Sequence, residues 1–394
     1  LAPHHPLDRN ESSSGNVVIV CPGGLEHGGG IGRQMGYFLQ AMETSRSGVG
    51  YRMVDSRGPW FLGACRLCSA LAVGYLAGAI LSLLAAGLST EPHIAHINIA
   101  GRGSTIRKAV LVAVARLVGL RYLLHVHDYD YAAEYRRRGP LMQSVIRSMF
   151  RKSETVLVLG ARDQERLTAL LRLPKDQIAV LHNGVPDPQP DPARARPPGA
   201  PCHLLFLGDL SVRKGVPELL RALASPAMAG APWRATLAGG GAVEDYRRDA
   251  AALGIAHRIA FPGWLDQAGV RALCADADVV VLPSHAEGMA MAVLEGLSHG
   301  IAVVTTPVGA HEEVIEPNVS GIMVPPGDVP ALAEALLRVI GDAALRDRLR
   351  AGARRRFLEK FNVRVYAERL GYLHARLLTD SRQTGGAIKR EQTS

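Results

Sequence analysis

Apolar residues along this chain gather into short β-branched runs separated by longer stretches of helical period. Residues 16–21, 51–55, 94–99, 121–126, 155–159 and 178–181 read as strands of this kind, and helical patterns lie between them. A second set follows at 203–207, 234–238, 259–261, 279–282, 302–305 and 321–324. Such alternation predicts parallel, doubly wound sheets. Between the sets Pro186, Pro188, Pro190, Pro192, Pro197, Pro198 and Pro201 can continue neither a helix nor a central strand, which predicts an interdomain linker over 186–201. The expected fold class is therefore α/β, two Rossmann-like domains in tandem with a cleft between them, at 15–185 and 202–358. Tyr366, Leu370, Leu373 and Leu377 repeat at helical spacing and predict a last helix over 359–378. The polar, proline-containing residues 1–14 lack the apolar core of a secretory signal and read as a disordered leader. Residues 379–394 read as a disordered tail.

Length agrees with two domains, since 394 residues divide into two of roughly 180. Hydrophobic residues at 47% and charged residues at 21% exclude wholesale disorder. A net charge of +9 favours anionic partners such as nucleotide diphosphates or phospholipid surfaces. No basic stripe interleaved with aromatics and no nucleic-acid motif is present, so nucleic acid is set aside as a partner. Cys21, Cys65, Cys68, Cys202 and Cys274 are scattered and odd in number, which points to a reducing, cytoplasmic compartment rather than a disulfide framework. Cys65-Arg66-Leu67-Cys68 has no second pair and reads as core. The uncharged run 67–88 is long enough to span a bilayer. It sits between two strands, and removing it would break the α/β alternation, so the preferred reading is a buried crossover helix; a helix dipping one face into the membrane interface is the intermediate one. The arginines of 346–350 and 354–356 make a solvated helix face or a membrane-surface patch.

Chemistry concentrates where strands end. The run 278–282, closed by Pro283 and Ser284, reads as a buried strand, which puts Glu287 in the loop at its carboxyl tip. Met291, Val293, Leu294 and Leu297 then begin a helix that carries Glu295 about two turns along. Two carboxylates can accept hydrogen bonds from several hydroxyls while the amides of Gly288, Met289 and Ala290 face a phosphate, a combination suited to a sugar joined to a nucleotide. Phe206-Leu207-Gly208-Asp209-Leu210-Ser211-Val212-Arg213-Lys214-Gly215 follows the first strand of the second domain. It places Arg213 and Lys214 where fixed positive charge could neutralise a leaving diphosphate. In the first domain the loop from Gly23 to Arg33 follows a strand and precedes a helix, so Gly29 and Gly30 offer amides to a phosphate. No register of its glycines gives the dinucleotide fingerprint, and the G-K-[ST] of a P-loop is missing, which disfavours a nicotinamide dehydrogenase. His127 closes the fourth strand and points at the expected cleft. Asp128-Tyr129-Asp130 is formally an Asp-x-Asp able to bind Mg²⁺ with a diphosphate, but Arg213 and Lys214 already supply that neutralisation, so no metal is expected.

The order of these motifs, with Asn183-Gly184-Val185 before the linker and Pro307-Val308-Gly309 after Glu287 and Glu295, resembles the family 4 retaining glycosyltransferases of GT-B fold over nearly the whole chain. The segment 100–108 is similar to members that build exopolysaccharides on lipid carriers. The resemblance implies a retaining, metal-independent transferase that takes a UDP- or GDP-sugar as co-substrate, needs no further cofactor, and acts on a hydroxyl of a saccharide or lipid-linked saccharide. Peripheral contact with the inner membrane goes with that acceptor. By the same resemblance Glu295 takes the ribose hydroxyls, Glu287 hydroxyls of the transferred sugar, and Lys214 with Arg213 the diphosphate. Gly288, Met289, Ala290 and Leu294 join the nucleotide-sugar site, Gly29 and Gly30 take phosphate, and His127 takes the sugar near the reacting carbon. Two positions depart from the family pattern: Asp209 stands where an arginine is usual, and Gly288-Met289-Ala290 replaces Gly-Phe-Gly. A nucleotide-sugar epimerase on the same fold, or a non-catalytic sugar-nucleotide-binding protein, are the alternatives.

Overall fold

The computed structural model describes residues 15–25, 29–45, 48–58, 66–101, 103–189 and 199–391, with the backbone alone for 66–71 and 381–391. The leader 1–14, the middle of the glycine-rich loop, Cys65 and most of the proline-rich linker lie outside the described residues.

The first sheet is built from β1 (Gly15–Cys21), β2 (Val49–Asp55), β3 (His93–Ile99), β4 (Arg121–Val126), β5 (Val156–Val158) and β6 (Ile178–Val180). Its helices are α1 (Gly29–Glu43), α2 (Arg66–Gly87), α3 (Gly103–Leu117), α4 (Tyr131–Arg136), α5 (Pro140–Arg151) and α6 (Ala161–Leu171). The second sheet holds β7 (Cys202–Leu207), β8 (Trp233–Ala238), β9 (Ile259–Gly263), β10 (Val279–Leu282), β11 (Ala302–Thr305) and β12 (Gly321–Met323). With it go α7 (Val216–Leu223), α8 (Val243–Ala252), α9 (Gln267–Asp276), α10 (Met291–Ser298), α11 (His311–Val314), α12 (Val329–Gly341), α13 (Ala343–Arg356) and α14 (Val363–Glu391). All the expected strands form, two six-stranded sheets in tandem. Val17, Ile19, Val20 and Cys21 of β1 and all of β10 are buried because helices cover both faces of a parallel sheet, which is why these strands read as continuous apolar runs.

Strand order fixes where ligands can sit. The first sheet runs β2-β1-β3-β4-β5-β6, so the chain turns outward from β1 to β2 and then crosses to β3 on the other side. The second runs β12-β11-β10-β7-β8-β9 with every pairing parallel, and the reversal falls between β7 and β10. Connections that leave neighbouring strands in opposite directions open a crevice at the carboxyl ends, and that is where ligands of such sheets bind.

Three features differ from expectation. The compact units are Leu1–Val158 with Leu167–Ala179 and Ala367–Ser394, and Leu159–Arg166 with Val180–Tyr366, so the boundary precedes the proline-rich stretch and the last helix returns to the amino-terminal unit. Its reason is packing: His374 stands edge-on to Phe38 and bonds to His96, and Leu378 abuts Gly15. Helix α14 also continues through Glu391, past the expected end at 378 and into the stretch expected to be disordered. Finally, α2 is a crossover helix as expected, but it packs on the sheet and on α3 by one side only and leaves Val73 and Leu81 exposed rather than buried. Among the described residues no helix is long and apolar enough to cross a membrane.

Candidate functional site

The reversal between β7 and β10 brings together two loops that the sequence keeps some seventy residues apart. After β7 the chain passes Gly208 and makes a 3-10 turn over Val212–Lys214 before α7. Gly215 ends that turn at φ 73°, and a Cβ there would stand 2.0 Å from the Pro283 carbonyl oxygen of the β10 loop. Only glycine allows both the left-handed backbone and the close approach. His285 N donates to the Arg213 carbonyl at 2.8 Å, stitching the loops together.

This approach delivers the basic pair to Glu287. Lys214 Nζ lies 2.5 Å from Glu287 Oε1 and Arg213 Nη1 lies 3.3 Å from the same oxygen, while Arg213 Nη1 also donates to the Ala286 carbonyl at 2.8 Å. Ser284 Oγ donates to Oε1 at 2.9 Å. Glu287 is buried, and burial pushes its carboxyl up; Lys214, by charge and hydrogen bond, then Arg213 outweigh this and hold it below the ordinary carboxylate value. The carboxylate is therefore ionised at neutral pH and fixes both cations at the crevice. Two cations against one anion leave a net positive charge, and Oε2 takes no part in these contacts. The site can thus receive an anion at the cations and a hydroxyl at Oε2.

A third loop closes the cluster from β11. Gly309 has φ 56°, and a Cβ on it would lie 2.1 Å from the Glu287 carbonyl oxygen and 2.3 Å from that of Gly288; Ala310 N donates to the Gly288 carbonyl at 2.8 Å. His311 begins α11 beneath it. Thr305 Oγ1 donates to the Leu282 carbonyl at 2.8 Å, so it must accept from His311 Nδ1 at 3.1 Å, as the Thr306 carbonyl does at the same distance. Burial lowers the pKa of His311, which stays neutral, and its buried Nε2 lone pair has no partner among the described residues. Ser284 and His311 were missed in the sequence as site members. Their signals were the serine that closes β10 and the histidine two residues after Gly309.

The remaining predicted residues of this unit are placed differently. Glu295 is buried on α10, and its carboxylate acts on Cys274, whose thiol is pushed up by burial first and by Glu295 second. Leu294 is fully buried in the core, because its turn of α10 faces the sheet. Met289 also turns inward, its Sδ accepting from Asn183 N at 3.1 Å. Ala290 is the residue before α10 and gives that helix no side-chain cap. Asp209, the departure from the family pattern, is exposed.

Gly29, Gly30 and His127 belong to the amino-terminal unit. The two glycines open α1 and are exposed, Gly29 at φ 58° with no described residue within 4 Å of its missing Cβ. His127 ends a row of imidazoles. Its Nε2 bonds to Asn98 Oδ1 at 2.8 Å, its ring lies 4.0 Å from that of His125, His125 Nδ1 meets His96 Nε2 at 3.3 Å, and His96 Nδ1 meets His374 Nε2 at 3.1 Å. Asn98 Nδ2 donates to the Val20 carbonyl, which fixes the amide so that its oxygen faces His127. His127 therefore donates through Nε2 and keeps Nδ1 as an acceptor. Burial lowers its pKa to about 3, so the ring is neutral at physiological pH. Asp128 packs against Gly101 and its Oδ1 accepts from Asp130 N at 3.2 Å, a turn contact. Lys108 is buried against Ser56, and burial lowers its pKa to about 7. A recess of about 1020 Å³ between β2 and α2, lined by Tyr51, Met53, Asp55, Gly74, Tyr75 and Gly78, contains none of the predicted site residues.

Fold and crevice define an α/β protein of two Rossmann-like domains. Residues 16–184 match the glycosyl transferase 4-like domain and residues 201–342 the glycosyl transferases group 1 domain. The chain belongs to the group 1 glycosyltransferases, family 4 of the GT-B fold. It is 30% identical over 223 residues to a glycogen synthase of Mycobacterium tuberculosis, a stretch covering 56% of this chain and 53% of that protein. The match thus spans about half the length of that relative. It is 26% identical over 278 residues, 68% of this chain and 64% of the other, to the amylovoran biosynthesis glycosyltransferase AmsK of Erwinia amylovora. Among solved structures, a sucrose-phosphate synthase from Thermosynechococcus elongatus superposes with a TM-score of 0.74 at 18% identity, over 93% of this chain and 100% of that one.

Proposed function

We propose that this chain is a retaining glycosyltransferase that moves a sugar from a UDP- or GDP-sugar to a hydroxyl of a growing, lipid-linked saccharide, without a metal ion. The observation that carries the reading is the hold of Glu287 on Lys214 and Arg213 at the β7/β10 reversal, which presents paired cations where such sheets take phosphates. The similarity to AmsK supports a polysaccharide product, and the lipid of the acceptor would bring the enzyme to the cytoplasmic face of the inner membrane.

In the proposed reaction the bond between the anomeric carbon and the diphosphate oxygen breaks, and its electron pair goes to that oxygen. The acceptor hydroxyl oxygen bonds to the anomeric carbon from the same face and gives its proton to the departing phosphate. Lys214 and Arg213 stabilise charge that grows on the diphosphate in the transition state, where such stabilisation accelerates the step. Glu287 Oε2 orients the sugar through its hydroxyls, and His127 Nδ1 accepts from a further one. Glu295 binds the ribose hydroxyls, while Gly29, Gly30 and the amides of Gly288, Met289 and Ala290 face phosphate.

The test is transfer from UDP- and GDP-sugars to a polyprenyl-diphosphate saccharide in buffer containing a chelator, with the anomeric configuration of the product read by NMR. Retention, and loss of at least a hundredfold in kcat/KM for Lys214→Ala, about 2.7 kcal/mol, is the expected result. An inverted product, or a Lys214→Ala variant as active as the wild type, overturns the reading.

A further inference from the structure

Helix α2 is apolar all round, a composition that fits a helix covered on every side. Here it is covered on one. It rests on β1, β2 and β3 and against α3, and its outward stripe of Val73, Ala77, Leu81 and Ala85, continued by Leu88, faces solvent. Leu81 is 65% exposed and Leu88 80%. Helix α3 packs on the same sheet beside α2 and repeats the pattern: Ile106, Val110, Ala113 and Leu117 recur at helical spacing on its outward side, Leu117 at 82% exposure. Because both helices lie in one layer, their outward stripes face the same way. Next to α3 stands α5, which exposes Leu141 and Val145. Apolar side chains so placed form a continuous patch rather than the scattered singles of an ordinary surface.

Charge says what covers it. Helices α2, α3 and α5 contain no Asp or Glu, while the exposed Arg116 lies in the last turn of α3 and the exposed Arg151 and Lys152 stand at the end of α5. An apolar stripe on helices that carry exposed cations and no acid matches a bilayer whose headgroups are anionic: the stripe enters the acyl boundary and the cations meet phosphate. A second copy of this chain fits poorly, since a two-fold contact would set these cations against their equivalents.

We propose that the outward face of α2, α3 and α5 docks the amino-terminal unit on an anionic phospholipid surface. The proposal deepens the membrane-facing part of the reading above, but it stands on its own observations and its test uses no sugar donor, so either can fail alone.

The experiment is co-sedimentation of the full chain with phosphatidylglycerol-containing vesicles and with pure phosphatidylcholine vesicles, at low and high salt. The wild type should pellet with the anionic vesicles and be partly released by salt. The double variant Leu81→Gln/Leu117→Gln keeps every charge, and at roughly tenfold per leucine withdrawn from the acyl boundary it should bind about a hundredfold more weakly. Arg116→Gln/Arg151→Gln should abolish the preference for anionic vesicles while leaving the circular dichroism melt unchanged. A wild type that stays in the supernatant with both vesicles overturns the proposal. So does a leucine double variant, folded by circular dichroism, that pellets like the wild type. A concentration-dependent dimer that the leucine variant dissociates would assign the face to a second copy instead.

Discussion

Replacing Lys214 with methionine keeps the stem of the side chain and removes its charge beside a carboxylate that is only 8% exposed. In the wild type burial works to raise the Glu287 pKa, and Lys214 is the largest influence opposing it. Breaking a buried ion pair from one side costs roughly 3–5 kcal/mol. Arg213 and Ser284 still reach Oε1, so the cost here should fall to about 2–3 kcal/mol at neutral pH. The pH dependence follows from the direction of the shift. A folded pKa held below the unfolded 4.5 contributes stability that is present above 4.5 and lost as pH falls through the folded value. In the variant burial prevails, the folded pKa rises, and ionising Glu287 now opposes folding. The difference between wild type and variant is therefore largest at neutral pH and shrinks as pH falls from the raised pKa of the variant through the folded value of the wild type, below which Glu287 is neutral in both. Calorimetry should show the carboxy-terminal transition of the variant lower by roughly 5–10 °C at neutral pH, at about 2–4 °C per kcal/mol for a unit of this size, and by progressively less as pH falls below 4.5. A drop that stays constant as pH falls below 4.5, or a variant as stable as wild type at neutral pH, would refute the reasoning.

Gly309→Ala should destabilise by about 2–3 kcal/mol, since its Cβ would meet the Glu287 and Gly288 carbonyls at φ 56°; an unchanged denaturant midpoint would show that the loop gives way freely. The imidazole row predicts acid sensitivity of the amino-terminal unit. The folded pKa values of His96, His125, His127 and His374 all lie below 6.5, so the unfolded chain binds more protons, and stability is full above 6.5 and drains as pH falls from there towards about 3. His374→Phe, which removes one of these groups, should flatten the fall in melting temperature between about pH 6 and 4; the same slope in both proteins would contradict this. Asn98→Asp places a carboxylate on His127 Nε2 and should raise the imidazole pKa by about 1–3 units, read by NMR titration, and no movement would mean that the 2.8 Å contact does not fix the ring. Asp328 Oδ1 caps α12 by accepting from Ala331 N at 2.9 Å, so Asp328→Ala should cost about 1 kcal/mol in urea unfolding.

Strands were legible because a parallel sheet buried on both faces leaves an unbroken apolar run, as at 17–21 and 279–282. Helix contacts were less so. The uniform composition of α2 says that it is a helix but not which face the sheet takes, and so it concealed the exposed stripe of Val73 and Leu81. The motif spacing placed Lys214 and Glu287 at one sheet edge and gave them separate ligand groups. That they hold each other depends on Gly215, where a Cβ would stand 2.0 Å from the Pro283 carbonyl oxygen, a closeness no spacing reveals. The row from His127 to His374 joins residues from β3, the end of β4 and the last helix, with His96 and His374 lying 278 positions apart. Nothing local in the sequence marks them as partners. Leu294 stands in the motif as a ligand contact, and nothing in that motif shows that the pitch of α10 turns its side chain into the core.

The most direct test of the central claim is isothermal titration of the wild type and of Lys214→Met with a panel of UDP- and GDP-sugars, with chelator present. The account predicts binding of one nucleotide class, weakened at least tenfold in the variant, about 1.4 kcal/mol, as the diphosphate loses a fixed cation. Equal affinity in the two proteins, or no binding of any member of the panel, would contradict the assignment of the Lys214, Arg213 and Glu287 cluster to a nucleotide-sugar diphosphate.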